Sequence, residues 1–339
     1  MRILLVVHGF PPEEQSGTEL YAEALAHALV RGGHDVCVFA GSHTAAARLD
    51  ARRREGAVEV ERCARPRRRL RVAWHDGSTE AALLALLDRF EPEAVHVQHL
   101  LGLTMPLIPR LRARGLPVVL TLHDHWFLCP EVQPYRPWAH PLHGDLRGAA
   151  CFAHLELVRP LRLASMLAER GLSARARAHV ERARLARAEL AAADLVIVPS
   201  CFLRDRYAAA GLAAARMLVL PHGIVELPRA ATRHEGVAVG YLGPLLHGKG
   251  PDLAVRAFRG VRNPAARLVL RGPEPDPRFA RHVRRLARRD PRIAIGPPLP
   301  RAQVGPFLAS LDLLVVPSRL HESFSLVAHE ALACSVPVL

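Results

Sequence analysis

Short unbroken runs of Val, Ile and Leu alternate with helix-length segments along almost the whole chain, and this rhythm restricts the fold more than any other feature. Arg2 to Val7, Asp35 to Phe39, Ala94 to Val97, Pro117 to Leu122, Asp194 to Val198 and Met217 to Leu220 read as strands. After a break come Val237 to Leu242, Arg267 to Leu270, Arg292 to Ile295, Asp312 to Val316 and Val336 to Leu339. Glu19 to Arg31, Thr79 to Phe90 and Asp252 to Arg259 are among the intervening segments long enough for helices. Strand, helix and strand in succession mean βαβ units and parallel sheets. Continuous apolar runs suit strands covered on both faces. The expected class is α/β, with two facing, doubly wound domains. Proline, glycine and charge cluster without a period from Pro221 to Glu235, which marks a hinge. We therefore place one domain at 1–221, the hinge at 222–235 and a second domain at 236–339. Facing domains of this kind put a cleft at the carboxyl ends of both sheets, where such folds bind ligands.

Composition narrows the classes further. With 339 residues, half of them hydrophobic, the chain can bury two ordinary cores. No apolar run approaches the roughly 20 residues of a membrane span. The opening Met1 to Val7 is too short for a signal-peptide core and runs into His8-Gly9-Phe10-Pro11-Pro12 rather than a cleavage site. A cytoplasmic protein is expected. Cys37, Cys63, Cys129, Cys151, Cys201 and Cys334 include no C-x-x-C pair, so neither a zinc knuckle nor a redox dithiol is indicated. Cys129 and Cys151 flank an irregular segment and could pair, but a cytoplasmic chain argues against it. The formal charge is +14, yet no arginine cluster is interleaved with aromatics, which make up 5% of the chain. Nucleic acid is therefore not an expected partner. Solvated faces come first, and peripheral contact with an anionic membrane second. The arginine- and alanine-rich stretch from Leu161 to Ala193 is either a solvent-facing helix pair or a membrane-surface element. Trp126 to Arg147 has no simple period and several prolines, as functional or mobile loops do.

Against this background a few residues point to chemistry. Lysine and arginine total 46, and Lys249 is the single lysine among them, held between Gly248 and Gly250. A compact ammonium on a thin stem suits a phosphate reached through a narrow gap; the alternative is chance survival of one lysine. No G-x-G-x-x-G follows the first strand, which counts against a nicotinamide or flavin enzyme. Instead Ser16 and Glu19 have capping-box spacing. Gly17 between them leaves bare amides at a helix start, a potential anion site. His123 and Asp124 end an apolar strand. His123 either meets a substrate hydroxyl or is tied structurally to a neighbouring loop. His123, Asp124 and His125 make a poor metal set, because adjacent side chains on extended backbone point opposite ways. No metal is expected. Near the end, Pro317 closes a strand and a helix is expected to begin near Ser323, so that the amides of Ser323, Phe324, Ser325 and Leu326 form a second anion-binding start. Glu322 stands at its mouth. Glu330 follows eight residues later, about two helical turns on. Both carboxylates can then face one crevice and accept from sugar or ribose hydroxyls.

Together these pieces resemble the large retaining glycosyltransferase family 4, with its two Rossmann-like domains in the GT-B fold. The resemblance covers nearly the whole chain. It rests on the Glu-x7-Glu motif from Glu322 to Glu330, on the glycine–lysine stretch from Gly243 to Gly250, and on His123-Asp124-His125-Trp126. It implies that the second domain binds a nucleotide-diphosphate sugar and the first a glycan, lipid-linked or small-molecule acceptor. Lys249 would neutralise the leaving diphosphate, with Gly243 and Gly250 shaping its loop. Glu322 and the amides of Ser323 to Leu326 would hold the donor sugar, and Glu330 the ribose. Gly17 would let the first helix approach the diphosphate, and His123 would sit beside the transferred hexose. The family reaction retains anomeric configuration and usually uses neither metal nor other cofactor.

This chain departs from the pattern in three ways. Pro244 stands where many members carry a second phosphate-binding arginine, so Lys249 acts alone or with His247. Ser325 stands where glycine is common. The chain also ends at Leu339 within an expected strand, so the second domain reads as incomplete and the natural product as longer, or this copy as impaired. The competing readings are a truncated or degenerate homologue acting as a partner subunit or doing nothing, and a GT-B nucleotide-sugar epimerase or phosphorylase.

Overall fold

The computed structural model describes residues 1–42, 52–55, 57–64, 76–128, 172–225, 227 and 235–339, with backbone alone for 52–55 and 172–179. The described residues fall into two compact units, one ending at Gly223 and the other beginning at Ile224. Cys129 and Cys151, residues 129–147 of the proline-rich segment, 161–171 of the arginine-rich stretch, and 226 and 228–234 of the expected hinge lie outside the described residues. Cys37, Cys63, Cys201 and Cys334 are free thiols. No helix among the described residues is long and apolar enough to cross a membrane.

The first unit runs β1 (Arg2–Val7), α1 (Gly17–Arg31), β2 (Asp35–Ser42), β3 (Arg52–Glu55), β4 (Val58–Ala64), α2 (Gly77–Phe90), β5 (Ala94–Val97), α3 (Ile108–Ala113), β6 (Val118–Thr121), α4 (Leu172–Ala192), β7 (Leu195–Val198), α5 (Cys201–Ala209) and β8 (Met217–Val219). Its sheet has the order β3-β4-β2-β1-β5-β6-β7-β8, and only the edge pair β3–β4 is antiparallel. In β1 the side chains from Leu4 to Val7 are all fully buried. Leu4 and Val6 enter the core with Leu86 and Val97, while Leu5 and Val7 pack with Ala22 and Ala26 of α1. This alternation to two covered faces explains the unbroken apolar run. Strands β3 and β4 were not anticipated. The charged side chains of β4 have a reason: Arg89 on α2 donates to Glu59 and Glu61 at 3.0 and 2.7 Å. Glu189 on α4 is fully buried and accepts the amides of Leu107 and Ile108 at 2.6 and 2.7 Å, filling the donors that head α3.

The second unit runs β9 (Val237–Leu242), α6 (Pro251–Phe258), β10 (Ala266–Arg271), α7 (Pro277–Ala287), β11 (Ile293–Gly296), α8 (Arg301–Ala309), β12 (Leu313–Leu314) and α9 (Leu326–Ala333). Its sheet, β11-β10-β9-β12, is wholly parallel. The strand expected at Asp312 to Val316 shortens to two residues, and Val336 to Leu339 pairs beside it through a single bridge, Leu314 to Val338. Both units are thus doubly wound and Rossmann-like. Strand order reverses between β1 and β5 in the first and between β9 and β12 in the second. The carboxyl ends at such a reversal are where folds of this kind bind ligands.

Candidate functional site

In the second unit the reversal point carries the lone lysine. After β9 the chain passes Gly243 and Pro244 into a single 3-10 turn, His247–Lys249. Gly250 follows with φ +70°, and a Cβ placed on it would lie 1.9 Å from the Pro317 carbonyl oxygen. Only glycine fits where the turn rests directly on the backbone leaving β12. That contact brings the two strand ends together. Lys249 Nζ sits 2.7 Å from Glu322 Oε1, and Ser318 Oγ donates to the same oxygen at 2.6 Å. Both partners of the ion pair remain about a quarter exposed, at 23% and 27%. Of the loop amides, Gly243 donates to Arg271 O, Lys249 to Leu246 O and Gly250 to His247 O. The side chain that the turn offers is the Lys249 cation.

The helix after β12 begins later than the sequence suggests. It starts at Leu326 rather than near Ser323, because Ser325 adopts a left-handed conformation with φ 59° and turns the chain there. Phe324 stacks on His329 with ring centroids 3.9 Å apart, and His329 Nδ1 reaches Ser325 O at 3.0 Å, bracing this turn. Ala328 already donates to Ser325 O, so the amides heading the helix are those of Leu326 and Val327, while Ser323 and Phe324 lie in the approach. Glu322 thus precedes the helix, and the two-turn spacing to Glu330 does not apply. The carboxylates take different partners: Glu322 meets Lys249, whereas the buried Glu330 accepts from Arg301 at the first position of α8. Arg301 was not singled out from sequence, and Ser318 was given no role there.

In the first unit the ends of β5 and β6 converge with the segment after β8. His123 is 7% exposed. Its Nε2 lies 2.8 Å from Gln98 Oε1 and its Nδ1 3.1 Å from His222 Nε2. With Gln98 accepting, Nε2 carries the proton and Nδ1 accepts from His222. Burial, then the neighbouring His222, His99, His8 and His96, push the His123 pKa well below its usual value, so the ring is neutral. Tyr21 of α1 packs on both rings, 5.2 Å from His123 and 4.1 Å from His222. Asp124 turns elsewhere: its Oδ1 accepts the Trp126 amide at 2.7 Å and its Oδ2 lies 3.3 Å from His99.

Helix α1 starts at Gly17 as expected, but the capping box does not form, since the Ser16 side chain makes no cap bond. Glu19 points instead to His8 Nε2 at 2.8 Å and is 1% exposed. Burial works to raise its carboxyl, and the hydrogen bond and charge of His8 outweigh it, bringing the pKa down to about 2. His8, Glu14 and Glu19 bring one ligand-type atom each within 4.8 Å of one another, so these are the described residues that could hold a cation.

A sequence profile described as Glycosyltransferase Family 4 matches residues 15–226, and one described as Glycosyl transferases group 1 matches residues 236–339. D-inositol 3-phosphate glycosyltransferase of Xylanimonas cellulosilytica is 37% identical over 95 residues, which is 27% of this chain and 22% of that protein, so the match spans under a quarter of the relative. Among solved structures, sucrose-phosphate synthase from Thermosynechococcus elongatus is similar over 100% of this chain and 80% of its own, with TM-score 0.66 and 19% identity. Anabaena HepE in complex with UDP-glucose is similar over 100% and 79%, with TM-score 0.63 and 16% identity. At these identities the structures establish the shared GT-B architecture.

Proposed function

Since the chain belongs to Glycosyltransferase Family 4, we propose that it moves a hexose from a nucleotide-diphosphate sugar to a glycan, lipid-linked or small-molecule acceptor with retention of configuration and without a metal. The observation that carries this reading is the Lys249–Glu322 pair at the strand-order reversal of the second unit. Each side chain of the pair satisfies the other. A donor offers both a better partner. The diphosphate draws the ammonium, and a sugar hydroxyl donates to the carboxylate, which Ser318 keeps in place. The amides heading α9 add partial positive charge without a metal.

Transfer then follows from charge. The anomeric C–O bond breaks and its electron pair leaves with the diphosphate. Positive charge grows on the sugar and negative charge on the departing oxygen. A fixed cation beside that oxygen favours the transition state over the ground state. The acceptor oxygen bonds to the anomeric carbon on the same face, and its proton passes to the leaving phosphate. Glu330, with Arg301 beside it, holds the ribose, and the first unit holds the acceptor, with the neutral His123 ring among its binding residues. A net charge of +14 suits an acceptor presented at an anionic membrane.

HepE is described with UDP-glucose, which makes that the first donor to test. The purified chain should release nucleotide from one of a panel of UDP- and GDP-hexoses, with a product whose anomeric signal in NMR matches the donor. No release from any donor, together with no thermal stabilisation by UDP, GDP or ADP, would support an inert homologue instead.

A further inference from the structure

We propose that Arg319 is a positioning residue for this transfer, and that its guanidinium holds the turn carrying Lys249 against the loop carrying Glu322. The inference rests on the reading of Lys249 given above. Arg319 follows Ser318 in the loop after β12. Its Nη1 and Nη2 donate to the two carboxylate oxygens of Asp252 at 2.7 and 2.8 Å, and Nη1 also donates to His247 O at 2.7 Å. Its backbone amide donates to Gly248 O at 2.8 Å. The contacts bracket Lys249 in the chain, with His247 and Gly248 before it and Asp252 after it. Asp252 lies in the first turn of α6 and is 5% exposed. Burial works to raise its carboxyl, and the Arg319 hydrogen bonds and charge outweigh it, so that it stays ionised.

This arrangement separates a positioning role from a direct one. The Arg319 charge is matched by a buried carboxylate in bidentate geometry, which leaves it a poor phosphate ligand. What the fork supplies is registration. One planar group spans two carboxylate oxygens and a carbonyl, which a lysine ammonium does not reproduce. Registration matters here because Pro244 supplies no side-chain cation and Lys249 is the single lysine of the chain. With a single ammonium, a displacement of about 1 Å is enough to cost on the order of 100-fold in rate.

The test compares the full chain with Arg319→Lys, Lys249→Ala and the double variant. The readouts are melting temperature, donor kcat and KM, and the dissociation constant for whichever of UDP, GDP and ADP stabilises the wild type most. Arg319→Lys keeps an ion pair with Asp252 and should melt within a few degrees of wild type. It should nevertheless lose at least tenfold in kcat/KM for the donor and weaken diphosphate binding. In the Lys249→Ala background, Arg319→Lys should have no further effect on the dissociation constant, because it acts through Lys249. Asp252→Asn, which retains the shape of the partner, should show the same non-additivity and serves if Arg319→Lys folds poorly. Wild-type kinetics for Arg319→Lys beside a disabled Lys249→Ala, or full additivity of the two, would overturn the positioning role and leave the proposed function standing. Wild-type behaviour of Lys249→Ala would overturn both.

Discussion

Gly250→Ala is the substitution whose cost the geometry fixes most tightly. The new Cβ would lie 1.9 Å from the Pro317 carbonyl oxygen, where real Cβ atoms essentially never come within 3.0 Å. The obstruction is backbone, so no rotamer change relieves it, and the two strand ends must separate by about 1 Å. The left-handed φ of +70° adds a conformational cost of about 1–2 kcal/mol for an L-residue. Overpacking adds about 1–3 kcal/mol. The sum is about 2–5 kcal/mol, and for a domain near 100 residues each kcal/mol shifts melting by about 4–8 °C. Gly250→Ala should therefore melt at least about 8 °C below wild type in a thermal scan followed by circular dichroism. Gly243→Ala is the internal control. Its Cβ would meet nothing nearer than the Tyr241 hydroxyl at 3.4 Å, and its φ is unremarkable, so it should melt within about 4 °C of wild type, an effect of about 0.5 kcal/mol or less. Equal melting temperatures for Gly250→Ala and wild type, or an equal loss for both variants, would refute the argument that the Lys249 turn rests on the Pro317 backbone.

Other expectations follow from single features. Ser325→Gly relieves a left-handed residue but frees the unfolded chain, so stability should stay within about 1 kcal/mol of wild type, whereas Ser325→Val should lose more than about 1 kcal/mol by urea titration. Burial raises the Glu189 carboxyl to about 7, against the opposing effect of the Leu107 and Ile108 amides. The folded state then holds a proton that the unfolded state loses near pH 4.5, so this contribution to stability is complete below about pH 4.5 and is lost as pH rises to about 7; Glu189→Gln should flatten that slope in urea titrations across the range. Arg301→Ala leaves the buried Glu330 without its cation and should lower stability by about 1–3 kcal/mol, and Glu330→Gln in that background should recover part of it.

What the sequence revealed and what it concealed divide along chain distance. The strands of β1, β5, β6 and β9 were legible because burial on both faces leaves an unbroken apolar run, as in Leu4 to Val7. Strands β3 and β4 were missed because charged residues interrupt their sequences, and the Arg89 that balances Glu59 and Glu61 of β4 comes from another element. Ser16 and Glu19 had the spacing of a cap, but a buried bond to His8 competes better for the carboxylate than an exposed amide does. The start of α9 was misplaced because a serine in left-handed conformation carries no sequence mark that a glycine would. Lys249, Glu322, Glu330 and His123 were all visible as unusual residues in their settings. Their partners were not. Lys249 meets Glu322 across 73 residues, Arg319 meets Asp252 across 67, and His123 meets His222 across 99. Such pairings are set by strand order, which local pattern does not encode.

On this mechanism Lys249 leaves Glu322 to take up the diphosphate of the donor. The most direct test is isothermal titration of UDP and UMP into the wild type and Lys249→Ala, at equal ionic strength. The wild type should bind UDP at least tenfold more tightly than UMP, and Lys249→Ala should bind the two about equally. An unchanged preference for the diphosphate in the variant would contradict it.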